Sequence, residues 1–309
     1  MKTAVIGATG FIGSGLVRLL MEKGHTVTVL SRSATRAAAS FGGGVRTLEW
    51  NAENKVALAG ELNGVDAIVN LAGENIGSSL WTRKKKARIL GSRLAAGRLV
   101  TEVIGSMKRK PATLVQASAV GYYGNREEEA LDENSTAGED FLADVVKKWE
   151  DSTNEVESMG VRRIIIRTGV VFASEGGAFP KLAMPYKFLF GTVPGSGKQW
   201  VPWIDYSDEI GAIHFLLTKE FAAGIYNLVS PNPARMEDIC HTMSVTLQRP
   251  TIIKIPGLLL KILMGKMAEE TILTSQKVLP TRLASAGYPF KHAGLKKSIS
   301  SILLGEEDL

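Results

Sequence analysis

Apolar positions fall along this chain in two alternating rhythms: short continuous runs, and longer stretches with helical spacing. Lys2–Ile6 and Thr26–Leu30 are runs of the first kind. Between them Ile12, Leu16, Leu19 and Leu20 form one helical face, and Gly24 stands where a helix stop belongs. Further strands are expected at Val45–Trp50, Asp66–Leu71, Thr113–Ala117 and Arg163–Arg167. Helices are expected at Ala57–Leu62, from Arg83 onward, and over Gly138–Met159, with Gly160 as the stop. Continuous apolar strands alternating with helices mean βαβ units, right-handed crossovers and a parallel sheet covered on both faces. The fold class is therefore α/β, a doubly wound parallel sheet.

From about Gly176 the texture changes. Gly176-Gly177, Gly191, Pro194-Gly195-Ser196-Gly197 and Pro202 punctuate short segments that carry Phe188, Phe190, Trp200 and Trp203. Helices are expected at Asp208–Thr218, Met236–Leu247, Leu258–Met267 and Leu295–Leu303, and Gly224–Val229 reads as a strand that returns to the sheet. The division expected is a nucleotide-binding domain over 1–175 and a mainly cap-forming, substrate-binding region over 176–309, containing the returning strand. Ligands of open α/β sheets sit outside the carboxyl ends of the strands, where such a cap would lie.

The turn after the first strand reads Gly7-Ala8-Thr9-Gly10-Phe11-Ile12-Gly13, a G-x-x-G-x-x-G between strand and helix. Glycines there let the backbone turn sharply and approach a pyrophosphate, which the helix N-terminus then meets with unpaired N–H groups. This makes the sheet Rossmann-type and the ligand a dinucleotide. A cofactor with a free ribose 2′-hydroxyl is usually held by an acid at the end of the second strand. Here the residues are Ser31-Arg32-Ser33, with Arg36 a turn further on. An acid would repel a 2′-phosphate and a guanidinium pairs with it, so the cofactor expected is NADP.

Composition narrows the rest. Over 309 residues the chain is 45% hydrophobic and 22% charged, ordinary for a soluble globular protein. One cysteine, Cys240, excludes an internal disulfide framework and fits a reducing compartment, and four scattered histidines offer no familiar metal spacing. The apolar run Ile252–Met264 is interrupted by Lys254, Pro256 and Lys261 and is too short to span a bilayer. The first strand begins at Lys2, leaving no room for a targeting segment, so a cytoplasmic protein without membrane contact is expected. The net charge of +6 raises the question of nucleic acid, and the densest basic run is Arg83-Lys84-Lys85-Lys86 with Arg88. It opens a helix whose inward stripe is read as Leu90, Leu94, Gly97, Val100 and Ile104, and no aromatic residues interleave the basic ones. A solvated helix face is expected, not a nucleic-acid site.

Asn70-Leu71-Ala72-Gly73-Glu74, Gly91-Ser92-Arg93, Ser118-Ala119-Val120-Gly121-Tyr122-Tyr123-Gly124, Gly195–Trp200, Gln276–Pro280 and Arg167–Phe172, together with the glycine turn, resemble the extended short-chain dehydrogenases/reductases. More narrowly, the chain is similar to an atypical NADP-binding epimerase branch of that family. Its members have been named nucleotide-sugar epimerases or cell-division inhibitors, and plant relatives are associated with plastid division. The resemblance implies that Gly7, Thr9, Gly10, Phe11, Ile12 and Gly13 hold the pyrophosphate, Ser31 and Arg32 the 2′-phosphate end, and Leu71, Ala72 and Gly73 the ribose. Thr168, Val170 and Val171 would border the nicotinamide.

One departure from the family stands out. Its Tyr-x-x-x-Lys proton relay has no counterpart, because Phe141 falls at the tyrosine position and Val145 at the lysine, and Ala119 takes the usual serine or threonine place. Tyr122, Tyr123, Glu74, Asp140, Lys147 and Lys148 are the ionisable groups expected near the cleft. Tyr123 is the first candidate proton donor, and Ser118 the partner of a substrate carbonyl. Glu74 and Trp203 are the expected substrate contacts, with Trp81, Trp149 and Trp200 as further walls. Two functions follow: an NADP-dependent oxidoreductase or epimerase acting on a small molecule, or a dinucleotide-bound regulatory scaffold that has lost its chemistry. Substrate and oligomeric state stay open.

Overall fold

The structure, a computed structural model, describes residues 1–188 and 190–305. Seven strands form its central sheet: β1 (Lys2–Ile6), β2 (Thr26–Ser31), β3 (Arg46–Glu49), β4 (Ala67–Asn70), β5 (Thr113–Ala119), β6 (Arg162–Thr168) and β7 (Gly224–Leu228). Their order is 7-6-5-4-1-2-3, and every neighbouring pair is parallel. The chain thus winds outward one way from β1 and the other way from β4, so the crossovers diverge at the β1/β4 boundary. This is the Rossmann-type arrangement, and the divergence opens a crevice at the carboxyl ends of β1 and β4.

The helices, in order, are α1 (Phe11–Glu22), α2 (Ala34–Phe41), α3 (Lys55–Glu61), α4 (Arg83–Ser106), α5 (Phe141–Asp151), α6 (Phe179–Lys187), α7 (Tyr206–Thr218), α8 (Met236–Leu247), α9 (Gly257–Met264), α10 (Lys266–Thr271), α11 (Thr281–Ser285) and α12 (Leu295–Leu304). On one face of the sheet Val5, Val29, Val69 and Val115 pack against Leu16 and Leu20 of α1 and Ile213 and Leu216 of α7. On the other, Ile6, Leu30, Ile68 and Leu114 meet Leu58 of α3 and Leu99, Val100 and Val103 of α4. The alternation of residues along β1 between these clusters explains why its run is apolar throughout. Each such fully buried branched side chain contributes roughly 1.5–3 kcal/mol. A third cluster, containing Phe172, Phe179, Tyr186, Trp203, Ile239, Cys240 and Ile299, forms the core of the cap between α6, α8 and α12.

Several expected boundaries shift for local reasons. The helix read over Gly138–Met159 is α5 alone: Asp140 caps its start by accepting from the Ala143 N–H at 2.8 Å, and a separate 3₁₀ turn follows at Asn154–Val156. The helix read at Leu258–Met267 breaks into α9 and α10 at Gly265, whose φ of +58° a helix cannot hold. In α4 the inward residues are Ile89, Ala96, Gly97, Leu99, Val100, Val103 and Ile104, while Leu90 and Leu94 are half-buried. Lys85, expected on the solvated face, is buried.

Tyr206 braces α7 against α1. Its hydroxyl donates to the Phe11 carbonyl at 3.1 Å and its ring stacks on Phe11 at 5.0 Å. Gly15 makes the notch, since a Cβ there would stand 1.9 Å from the Tyr206 hydroxyl oxygen.

Candidate functional site

The crevice is built from glycines whose side chains would collide with main chain. Gly7 has φ +78°, and a Cβ on it would lie 2.8 Å from the Leu71 carbonyl, so the turns after β1 and β4 touch. A Cβ on Gly13 would lie 2.3 Å from the Gly7 carbonyl oxygen. These contacts draw the first turn of α1 tight beneath the crevice. Gly10 is the N-cap, with no side-chain cap, and the first turn holds no acid. The N–H groups of Phe11, Ile12 and Gly13 have no intrahelical partner, since the first bond of the helix runs from Ser14 N–H to Gly10 at 2.9 Å. Thr9 and Gly10 are exposed above them. The arrangement is an anion cradle.

At the end of β2 Arg32 is exposed, and its guanidinium makes no hydrogen bond or ion pair among the described residues. Ser31 is half-buried, and its hydroxyl accepts from the Ser33 N–H at 3.3 Å. After β4 the Asn70 side chain shapes the turn: its Oδ1 accepts from the Ala72 N–H at 3.2 Å, and its amide donates to Gln116 at 2.9 Å. This fixes Leu71, Ala72 and Gly73 along the crevice wall.

Glu74 does not face the crevice as a free acid. Lys85 donates to its Oε1 at 2.7 Å, to the Asn75 carbonyl at 2.7 Å and to the Ser78 hydroxyl at 2.6 Å. Lys85 is buried with all three ammonium protons placed, and its hydrogen bond holds the Glu74 carboxyl below its ordinary pKa. Sequence reasoning placed this lysine in a solvated run. The motif residues Ser92 and Arg93 join the same loop, Ser92 accepting from the Glu74 N–H at 3.0 Å and Arg93 donating to the Glu74 carbonyl at 3.0 Å. Arg93 also stacks over Trp149 at 4.7 Å, and burial pulls its pKa down to about 10. A Cβ on Gly73 would come within 3.1 Å of that guanidinium, so a basic group lies directly behind the wall.

The expected proton donor lies inside the protein. Tyr123 is 0% exposed; its hydroxyl donates to Asn227 Oδ1 at 2.7 Å and accepts from Arg167 at 3.2 Å. Burial pushes its pKa up to about 12. Ser118 is also buried, its hydroxyl spent on Glu150, whose two oxygens receive Arg167 at 2.8 and 2.9 Å. Burial opposes the Arg167 charge, but the carboxylate outweighs it and lifts the guanidinium's pKa above its ordinary value. Arg167 also lies 3.4 Å from the centre of the Tyr122 ring. Tyr123, Asn227, Ser118, Glu150 and Arg167 form a hydrogen-bonded network at the carboxyl ends of β5 and β6. Trp203, expected at substrate, is likewise 1% exposed: it stacks on Phe172 at 5.5 Å and its indole N–H donates to the Asn232 carbonyl at 3.0 Å.

Thr168, at the end of β6, is half-buried, and its hydroxyl donates to Glu209 Oε1 at 2.8 Å. Glu209 is wholly buried on α7, and its Oε2 has no hydrogen-bond partner among the described residues. Burial pushes its pKa up to about 8. No sequence signal marked it, because the helix pattern there reads as an ordinary polar first turn. Val170 is half-buried and Val171 buried in the segment that follows. At the start of α5, Phe141 packs edge-on against Trp81 at 5.3 Å, and the Lys86 ammonium lies 4.4 Å from the Phe141 ring centre. Val145 is buried in the helix core. Among the described residues no group of three or more His, Cys, Asp or Glu side chains is placed to hold a metal ion.

Sheet order, glycine cradle and crevice together define an extended short-chain dehydrogenase/reductase of the NAD(P)-binding Rossmann type. The chain belongs to the NAD dependent epimerase/dehydratase family, which matches residues 3–228, while residues 255–302 match a domain of unknown function, DUF1731. It is 36% identical over 304 residues to the epimerase family protein YfhF of Bacillus subtilis, covering 98% of each chain. It is 37% identical over 310 residues to the chloroplastic SDR39U1 homologue of Arabidopsis thaliana, covering 98% of this chain and 87% of the relative. The solved structure of the human epimerase family protein SDR39U1 with NADPH superposes with a TM-score of 0.88 at 30% identity, covering 99% of this chain and all of that one.

Proposed function

We propose that this protein binds NADP(H) in the crevice between β1 and β4 and works on a small-molecule substrate as an oxidoreductase or epimerase without the Tyr-x-x-x-Lys relay. The observation that carries the cofactor reading is Arg32, an exposed guanidinium with no hydrogen bond or ion pair among the described residues, at the end of β2. A 2′-phosphate offers it two charge-assisted hydrogen bonds, and the related human protein was solved with NADPH. Gly7, Thr9, Gly10, Phe11, Ile12 and Gly13 would hold the pyrophosphate on the α1 N-terminus. Ser31 and Arg32 would hold the 2′-phosphate, Leu71, Ala72 and Gly73 the ribose, and Thr168, Val170 and Val171 the nicotinamide side. When bound, the cofactor supplies or accepts a hydride.

The residues of this chain then do three things. They fix the dinucleotide against a preformed cradle, they neutralise Glu74 through Lys85 so that no free acid repels the phosphates, and they shape the substrate side with parts of the 176–309 region. A phenyl ring at position 141 moves no proton, and a missing general acid lowers a rate by about 10²–10⁴-fold. Slow turnover on reactive carbonyls follows, rather than fast sugar epimerisation.

Thermal shift with each nicotinamide cofactor tests the reading. NADPH at 100 times its dissociation constant should stabilise the fold by ~2.7 kcal/mol, with NADH far weaker at the same concentration. Equal shifts with NADH, or an NADPH shift that survives Arg32→Ala unchanged, would overturn the 2′-phosphate assignment. An NADPH-oxidation screen tests the second half, and rapid turnover of nucleotide-sugars by the wild type would contradict it.

A further inference from the structure

Ala119 stands where the family carries a catalytic hydroxyl, and the strand beside it supplies one. In the parallel pairing of β5 with β6, Ala119 is the register partner of Thr168. Register partners on adjacent strands lie about 5 Å apart and point their side chains to the same face. The Thr168 hydroxyl is therefore one strand away from the missing one, at the same level of the carboxyl edge. Ala119 and Thr168 are half-buried, whereas Ser118 and Arg167 just before them are buried, so both strands leave the core at this point. The backbone beyond Thr168 is clamped: a Cβ on Gly169 would lie 2.1 Å from the Pro202 carbonyl oxygen, and the Val170 N–H donates to that carbonyl at 2.7 Å.

Behind the hydroxyl lies a carboxyl. Thr168 donates to Glu209 Oε1 at 2.8 Å, and Oε2 is buried with no hydrogen-bond partner among the described residues. Glu209 lies three residues after Tyr206, whose bond to the Phe11 carbonyl seats this end of α7 against the cradle. Burial raises its pKa to about 8, so at neutral pH it keeps its proton. With that proton on Oε1 the bond reverses: the carboxyl donates to Thr168 Oγ1, and the threonine hydrogen is free to turn to a ligand.

The titratable neighbours are occupied elsewhere. α1 presents Leu16 and Leu20 to α7, and β5 carries no charged residue. Arg167 points to the opposite face and pairs with Glu150 at 2.8 Å. Asp208 accepts from the Lys291 and His292 N–H groups at 2.8 Å each and from the Tyr288 hydroxyl at 3.1 Å, while Asp205 accepts from Ser298 at 2.6 Å. A glutamine at 209 would satisfy Thr168 equally well and never ionise. A buried carboxyl in its place, beside the residue assigned to the nicotinamide side, marks a site of proton transfer.

We propose that Thr168 and Glu209 form a proton relay that stands in for Tyr-x-x-x-Lys, Thr168 touching the substrate oxygen and Glu209 acting through it. This rests on the NADP(H) oxidoreductase reading above. As a carbonyl carbon gains the hydride that NADPH supplies, its oxygen takes the Thr168 hydrogen, and Oγ1 takes the proton of Glu209. Glu209 is left a carboxylate, which water reprotonates through Thr168 once the product has gone. One carbonyl, one NADPH and one proton give one alcohol and one NADP⁺.

Two measurements on the full chain test this. In the first, NADPH oxidation with para-nitrobenzaldehyde is followed against pH. Wild-type turnover should fall as pH rises through about 8. Glu209→Gln should lower it by about 10²-fold at neutral pH and abolish that fall, with NADPH binding unchanged. Thr168→Val should be as slow, and Thr168→Ser should restore most of the rate. In the second, infrared spectra of the ligand-free protein should show a protonated carboxyl that titrates near pH 8 and is missing in Glu209→Gln. Thr168→Val should move that titration upward, because the threonine bond favours the carboxylate. Wild-type turnover whose pH profile survives Glu209→Gln, or full activity in Thr168→Val, overturns the relay and leaves the oxidoreductase reading standing. A carboxyl that titrates as expected while the rate ignores it gives Glu209 a structural role alone and overturns the relay too. Wild type that binds NADPH and never oxidises it overturns the oxidoreductase reading itself, and the relay with it.

Discussion

Glu209 should make this protein lose stability as the solution becomes more alkaline, and Glu209→Gln should remove that loss. The carboxyl is wholly buried, keeps one bond from Thr168 at 2.8 Å and leaves Oε2 unpartnered among the described residues. Its pKa is raised by burial from 4.5 to about 8. Below pH 4.5 the group is protonated in both folded and unfolded chains and contributes no pH dependence. As pH rises toward 8 the unfolded chain releases the proton while the folded one retains it. The unfolded state then binds fewer protons, so stability falls by up to about 1.4 kcal/mol per pH unit. Above pH 8 both states are ionised and the curve is flat.

A shift of this size integrates to at most about 5 kcal/mol, and water reaching the carboxylate in partly open states brings the expected value to about 2–5 kcal/mol. Glutamine keeps the oxygen that accepts from Thr168 and cannot ionise. Urea unfolding at a series of pH values between 5 and 9 measures the difference directly. The two proteins should be close at pH 5, and the variant should gain over wild type steadily up to pH 8. Parallel curves would mean that Glu209 is hydrated or paired in solution, and the reasoning from its burial would fail.

Two further outcomes follow from the site. Tyr123→Phe removes a hydroxyl bonded to Asn227 and Arg167 in a buried network; it should cost about 1–3 kcal/mol in urea unfolding while leaving the NADPH dissociation constant within twofold. A fall in turnover without a fall in stability would instead restore Tyr123 as a substrate-facing group. Gly13→Ala places a methyl 2.3 Å from the Gly7 carbonyl; it should abolish NADPH-induced thermal stabilisation, and a shift equal to wild type would show that the cradle is not the pyrophosphate site.

Strand and helix rhythm, the glycine turn and the arginine after β2 were legible because each is a local property. A continuous apolar run reports a strand covered on both faces, 3.6-residue spacing reports one buried stripe, and a glycine at a tight turn reports a missing Cβ. The parallel, doubly wound character of the sheet followed from those periods and the handedness of crossovers, whereas the order of its strands is a tertiary result. Which polar groups face the crevice was not local.

Lys85 sits in a run of basic residues that reads as solvent face, yet the loop from Glu74 to Ser78 folds over it and supplies three acceptors. Tyr123 and Ser118 stand where a strand end delivers side chains toward a ligand, and Arg167, 44 residues beyond Tyr123, draws them into a hydrogen-bonded network instead. Trp203 and Glu209 likewise take their burial from elements that are distant in sequence. The apolar run near residue 260 was visible as composition, but its outward direction depends on how the cap packs beneath it. Sequence alone determined the backbone plan, because propensity and periodicity act over a few residues. Tertiary structure decided which charges are free, because desolvation and pairing depend on neighbours that only the folded chain brings together.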